Sequence, residues 1–202
     1  IVSVTNTVSK ELLIDTMLAV TNPEASYIAQ RALANMANKD VIVALLDGYL
    51  GAQQEAQKEL FADTVRHMRK PEIVPALRYI VEGEKDDSFD MIGLAACDTL
   101  GVIGTREATD CLMASYKNLS NENTLAAVYA AIIKISNPDS LDILLGSARD
   151  VDIAPKVRLA SITALRNYDY GLVGEPLQEI QSSAQDAAIR EAARNSLEKA
   201  FK

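Results

Sequence analysis

The chain has 202 residues, of which 49% are hydrophobic and 24% are charged, so it can bury a substantial core and does not have the composition of a disordered protein. With only 9 Gly and 6 Pro, the composition favours helices over a turn-rich β-sandwich and predicts an all-α fold. The net charge of −8 argues against a nucleic-acid partner, because such binding draws most of its affinity from Lys and Arg side chains on phosphates.

An apolar repeat runs through the whole chain. One series of leucines has spacings of 32, 35, 32 and 33 residues, and a second apolar series between them has steps of 32, 35, 32, 33 and 32. Two series with one period predict two helices per repeat, which bury their apolar stripes only by stacking on their neighbours. The first series is Leu45, Leu77, Leu112, Leu144 and Leu177, and the second is Leu33, Val65, Leu100, Ile132, Leu165 and Leu197.

This period predicts an α-α superhelix, or solenoid, of about six helix pairs that forms a single domain over residues 1–202. The first pair is predicted at residues 10–20 and 24–36, because Leu13 lies 32 residues before Leu45. Pro23, Pro71 and Pro138 fall between predicted helices, where proline fits the first helical turn. The predicted repeats are about 7–38, 39–70, 71–105, 106–137, 138–170 and 171–202.

Several elements between these positions are also predicted from local chemistry. The acidic stretch 82–90 contains the extra residues of the third repeat and is typical of a solvated loop. Gly101 and Gly104 are predicted to end a helix, since glycine commonly stops helices. His67 lies in the basic run 66–70, which indicates either a solvated helix C-terminus or a contact for an anion or acidic peptide.

The two ends of the predicted solenoid differ. The last helix has small residues inward and charges around them, which is typical of a terminal cap. The N-terminal residues Ile1 to Val4 lack that character. We therefore expect the first repeat to pack on an upstream segment or on another chain.

The chain has few residues suited to a metal or a disulfide framework. It contains two cysteines, Cys97 and Cys111, and one histidine, so we predict buried cysteines, no metal site and no cofactor. No apolar run approaches the roughly 20 residues of a membrane span, and no signal peptide is visible. The compartment is not determined by the sequence, although a cytoplasmic location is slightly favoured.

Two kinds of segment resemble a known family. Residues 95–104, followed by Glu107, Ala108 and Leu112, are similar to the alanine-rich helix ending in leucine, glycine, isoleucine and glycine of bacterial HEAT-like repeats. Residues 157–160 and 189–193 resemble the aliphatic-arginine helix start of the same repeats, whose short variety is named after phycobilisome lyases. The resemblance implies an α-solenoid, in a family that includes scaffolds, adaptors, chromophore lyases and helical-repeat enzymes.

The enzymatic branches of this family fit the sequence poorly. Deoxyhypusine hydroxylases use paired His-Glu motifs for two irons, whereas this chain has one histidine. Alkylpurine DNA glycosylases use a basic face with Trp, and this chain is acidic and has no Trp. Nucleophile and phosphate-loop motifs are also missing. We predict a non-catalytic protein-interaction or assembly scaffold and no enzyme; the alternative is a lyase-like accessory factor that cradles a small ligand on its concave face.

A candidate partner site is predicted on the second helices, which line the concave face of such solenoids. Positions six and two before the second apolar series, and one after it, point away from the core at 100° per residue. They are polar in the outer repeats but largely apolar in repeats three to five, which suggests either a partner-binding strip or positions that curvature buries. The predicted partner-binding residues are Leu94, Asp98, Ala126, Ala130, Ile133 and Leu159, with Arg66, Lys134 and Arg166 beside them; Gly101 and Thr163 occupy the same face.

Overall fold

A computed structural model describes residues 9–19, 22–83, 90–118 and 121–200. Within these ranges the chain forms twelve α-helices and three short 3₁₀-helices, with no strand, which confirms the predicted all-α fold of six helix pairs. The α-helices are α1 Lys10–Leu18, α2 Pro23–Met36, α3 Lys39–Gly51, α4 Glu55–Arg66, α5 Val74–Gly83, α6 Met91–Ile103, α7 Arg106–Asn118, α8 Glu122–Lys134, α9 Leu141–Arg149, α10 Pro155–Ala164, α11 Tyr170–Ser183 and α12 Ala187–Lys199. The 3₁₀-helices are Pro71–Ile73, Pro138–Ser140 and Leu165–Asn167.

Side-chain caps define where many of these helices begin. The Asn38 side chain accepts a hydrogen bond from the amide of Val41, and the Asp90 carboxylate accepts from the amides of Ile92 and Gly93. Such caps satisfy amides that have no partner within the helix. Further caps of this kind are Ser9, Asn22, Asn121, Asp169 and Asp186.

The ends of two elements differ from their predicted limits. The first helix ends at Leu18, and Val20, its predicted last residue, lies outside the described ranges. At the acidic stretch, α5 continues through Gly83 and Asp90 already caps α6, whereas residues 84–89 lie outside the described ranges. Residues 82 and 83 of the predicted loop thus belong to α5, and residue 90 belongs to the cap of α6.

The helices stack as two layers. The second helices of successive pairs, α4 on α6 and α6 on α8, are in closer contact than the first helices, such as α5 and α7. A double layer bends toward the more tightly packed side, so α2, α4, α6, α8, α10 and α12 form the inner, concave layer.

The core follows the two apolar series. Leu45, Leu112 and Leu177 of the first helices have no solvent exposure, and neither do Leu100 and Ile132 of the second helices. Leu13 and Leu197, in the first and last described repeats, are only half-buried, since each of these repeats has a described neighbour on one side. The extent of the domain, residues 1–202, stays a prediction.

The structure also bears on the predictions for single residues, namely the glycine at the end of a helix, the two cysteines and the histidine. Gly104 ends α6 in the left-handed conformation, with φ of 57°, as predicted. Both cysteines are buried, and burial raises the pKa of the Cys111 thiol to about 11. His67 caps the C-terminus of α4 and is exposed, with its Nδ1 2.8 Å from the Asp63 carbonyl oxygen. No helix in the described ranges has both the length and the apolar character needed to cross a membrane.

Candidate functional site on the inner face

The inner faces of α6, α8 and α10 carry five apolar side chains that we call the central strip: Leu94, Ala126, Ala130, Ile133 and Leu159. The two alanines are exposed, whereas the three larger side chains are half-buried and pack against the core. The strip is thus partly covered within the monomer and partly open to solvent. Partner binding by these residues stays a prediction.

The predicted position of Gly101 on this face is wrong. Gly101 is buried in α6, and a methyl group at its Cα would overlap the backbone of Ala131 in α8. The helix-position rule assigned Gly101 to the solvent side, but the close approach of α6 and α8 covers it. Glycine at this position permits that approach.

The charged residues beside the strip fall into two groups. Lys134 of α8 forms an ion pair with Asp98 of α6, with the two side chains 48% and 34% exposed. The guanidinium groups of Arg66 and Arg166 form no hydrogen bond, ion pair or ring contact with any part of the chain that the structure describes. Two cations on the inner face are therefore available to a partner.

Arg166 lies between two neighbouring depressions. The first has a volume of about 570 Å³ and is lined by Ile133, Lys134, Ser136 and Asn167 as well as Arg166. The second has a volume of about 340 Å³ and extends from Thr163 and Arg166 to α12, where Glu191 and Asn195 line it. Both depressions open to solvent, so they form part of a groove rather than an enclosed pocket.

The structure therefore brings some of the predicted site residues together and leaves others apart. Ile133, Lys134 and Arg166 surround one depression, and Asp98 joins them through its ion pair with Lys134. The remaining strip residues share the face by helix position but line neither depression, and Arg66 lies one helix away on α4.

Sequence reasoning missed Asn167. Its Nδ2 donates hydrogen bonds to the carbonyl oxygens of Ile133 and Ile135, at 2.8 and 3.0 Å, and so connects the end of α8 to the next repeat. The sequence did contain a signal for this residue. Asn167 is a polar residue two positions after the core residue of the second apolar series, and His67 and Lys134 occupy the same position in their own repeats.

A larger cleft, of about 640 Å³, lies at the turns within repeats five and six and was not predicted. Its arginines already have partners: Arg149 pairs with Glu179 at 3.0 Å, and the Arg158 Nε donates to the Ala148 carbonyl at 2.7 Å. These contacts support the local structure, so this cleft has less charge available for a ligand than the inner face.

Two layers of stacked helix pairs, with the second helices inside, define the chain as an α-α superhelix. Residues 74–166 match the family model for HEAT repeats, which agrees with the resemblance found in the sequence. HEAT repeats generally mediate protein interaction. No curated protein matches the chain.

The chain is also similar to a solved structure of human deoxyhypusine hydroxylase in complex with glycerol. The sequence identity is 13%, the match covers 94% of this chain and 95% of that chain, and the TM-score is 0.37. The solved structure is of an enzyme, which overturns the prediction that this chain is not one. At this score the likeness assigns no activity to the chain.

Proposed function

We propose that the chain is a protein-interaction or assembly scaffold that binds a partner peptide or helix on its concave face, across α6, α8 and α10. The observation that carries the proposal is the central strip itself, which joins three successive helices and has the available cation Arg166 at one edge.

The shape of the strip suits an elongated ligand. Ala126 and Ala130 are exposed on α8, between Leu94 on α6 and Leu159 on α10. Because Ala126 and Ala130 are small, we expect a shallow trough at these two positions, with the larger half-buried side chains of Leu94 and Leu159 as its apolar walls. A contiguous apolar surface over neighbouring repeats is typical of a partner site.

The charges at the edge favour a partner with acidic groups. Arg66 and Arg166 have no ion-pair partner in the described chain, and arginine is enriched among the residues that dominate binding energy at interfaces. The Lys134–Asp98 pair is exposed enough to be rearranged at little cost, since surface ion pairs contribute about 0–1 kcal/mol.

The openness of the groove favours a peptide over a small molecule. Small-molecule sites cover most of their ligand, whereas the two depressions beside Arg166 are open to solvent. Burial raises the pKa of Cys111 to about 11 and that of Tyr168 to about 12, and both groups lie outside these depressions.

The test is selection of ligands from a random peptide display library on the wild-type chain, followed by calorimetric titration of a selected synthetic peptide. We expect Ala130→Glu to weaken binding by at least about tenfold, because it places a charge in the apolar trough. The matched control is Ala114→Glu, which makes the same change at an exposed position on α7, in the outer layer.

Circular dichroism of each variant establishes that its helices are intact. Equal affinity for the wild-type chain and Ala130→Glu contradicts the proposed site. Failure to select any peptide above background contradicts the proposed function.

A further inference from the structure

The two available arginines of the inner face lie at equivalent positions of their repeats. Arg66 directly follows Val65 at the end of α4, and Arg166 directly follows Leu165 in the 3₁₀-helix that continues α10. Val65 and Leu165 are core residues of the second apolar series and have no solvent exposure. Equivalent positions of stacked repeats lie at the same level along the inner helices, so the two arginines stand on either side of α6 and α8.

Neighbouring carboxylates do not neutralise these arginines. Asp63, one turn before Arg66, accepts a hydrogen bond from the Gln30 Nε2 of α2 at 2.8 Å. Glu191 lines a depression together with Arg166 but forms its ion pair with another residue of α12, at 2.6 Å. The acidic groups nearby are therefore bound to other side chains, and both guanidinium groups keep their donors for a ligand.

The central strip lies between the two arginines. At their own level the intervening repeats place Gly101, which is buried, and Ile133, which is half-buried. Helices in contact lie about 8–10 Å apart, so the three steps from α4 through α6 and α8 to α10 separate the arginines by about 24–30 Å. The inner face thus has an apolar centre and one available cation on each side of it.

The depression beside Arg166 has the donors that an anionic group requires. Lys134 and Ser136 line it as well, and both are exposed. Arginine binds a carboxylate through two parallel N–H groups, and a carboxylate has lone pairs for further donors. A guanidinium, an ammonium and a hydroxyl group are therefore available to one anionic group, with Ile133 as an apolar wall.

Partial burial makes the charge of the ligand decisive. Arg66 and Arg166 are both half-buried, so a ligand that covers the central strip removes more water from their guanidinium groups. A charged group that loses water without gaining a partner costs free energy, whereas a facing carboxylate offsets that cost. A ligand that spans the strip is therefore favoured when it supplies a negative group at each end.

We infer, on the basis of the proposed function, that the partner is a peptide with an apolar stretch between two acidic side chains, one bound by Arg66 and the other by Arg166. An extended peptide advances about 3.3 Å per residue, so the two acidic residues are about seven to nine residues apart. The two arginines then select the partner by charge and by length, and the central strip supplies the apolar contact. Because the chain carries a charge of −8, an acidic peptide is repelled by much of the remaining surface, which restricts it to this face.

The test uses two display libraries of peptides of about 12 residues, long enough to span both arginines, identical except that Asn and Gln replace Asp and Glu in the second. On the wild-type chain we expect the first library to yield peptides with an acidic residue on each side of an apolar stretch. The best peptides from the second library should bind at least about tenfold more weakly, because they lack the charge-assisted pairs.

A double-mutant cycle assigns each arginine. In calorimetric titrations, Arg166→Gln and Arg66→Gln should each weaken the selected acidic peptide by about tenfold. Each variant should bind the peptide as tightly as before once the acid that faces the altered arginine is replaced by its amide, because the pair is already lost. The matched control is Arg78→Gln, which removes the same group from an exposed position on α5, in the outer layer, and should bind like the wild type.

The outcomes separate this inference from the proposed function. Acid-free peptides that bind the wild-type chain as tightly as acidic ones overturn the inference and leave the proposed function intact, whereas failure of both libraries overturns both. An acidic peptide with equal affinity for the wild type, Arg66→Gln and Arg166→Gln also overturns the inference. Circular dichroism of each variant establishes that lost affinity does not reflect lost helices.

Discussion

At the residue scale, a single glycine sets the distance between two helices of the candidate site. Gly101 lies in the interior of α6, where glycine is otherwise unfavourable, and its missing side chain allows the backbone of Ala131 to approach. That approach also brings Asp98 close enough to pair with Lys134. The chain offers a natural comparison in Gly146 of α9, which has open space around its Cα.

We predict that Gly101→Ala lowers the free energy of unfolding by about 1–3 kcal/mol, because the new methyl group overlaps backbone atoms that move only together with a helix. The same change at Gly146 should raise it by about 0.5–1 kcal/mol, through the higher helix propensity of alanine. Urea unfolding followed by circular dichroism measures both values. Equal stability of Gly101→Ala and the wild type would show that α6 and α8 adjust their spacing freely.

At the scale of elements, side chains from one repeat close the helix ends of the repeat before it. Asn167 donates to two carbonyls at the end of α8, Asn137 Nδ2 donates to the Ile103 carbonyl at 3.3 Å, and Lys70 Nζ donates to the Met36 carbonyl at 3.0 Å. The last carbonyls of a helix have no partner within it, so these bonds both satisfy them and join the repeats. Beside the candidate site, they fix the end of α8 relative to Arg166.

We predict that Asn167→Ala destabilises the chain by about 1–3 kcal/mol, since it removes the donor for two carbonyls in a half-buried position. It should also weaken a peptide selected on the wild type, because the depression formed by Ile133 and Arg166 loses its support. Asn123→Ala is the control: its exposed side chain forms no hydrogen bond or ion pair within the described residues, and a change within about 0.5 kcal/mol is expected. Thermal unfolding and calorimetric titration measure the two effects, and an unaltered Asn167→Ala would refute the assigned role.

At the scale of the whole molecule, stability depends on how many neighbours each repeat has. Repeats three and four have a neighbour on both sides and contain α6, which is buried over most of its length. The first repeat has only one described neighbour and exposes Leu12 and Ile28. Stacked repeats draw much of their stability from nearest-neighbour contacts, so the ends should open before the centre.

Hydrogen exchange at low micromolar concentration should therefore be fastest in α1 and slowest in α6 and α8, because local opening is cheapest where few apolar contacts are lost. Mass spectrometry of proteolytic fragments measures this order. Uniform exchange along the chain at low concentration would indicate a single cooperative unit instead of a graded solenoid.

The sequence by itself determined the helix pairs, because the signals for them are local. The apolar stripe of each helix and the prolines between helices act over a few residues, and together with the apolar period they predicted both the solenoid and its buried leucines. The inner face was also predictable in outline, since helix position alone placed Ile133, Lys134 and Arg166 on one side.

Only the tertiary structure decided how far neighbouring helices approach and which side chains they cover. Gly101 was expected in solvent and is buried, Asn167 was missed, and the strip residues Leu94, Ile133 and Leu159 are half-covered, between the two alternatives that the sequence left open. The exposure of Ile28 likewise follows from the lack of a described repeat before α2. Burial at these positions depends on distances between helices about 30 residues apart in sequence, which no local pattern encodes.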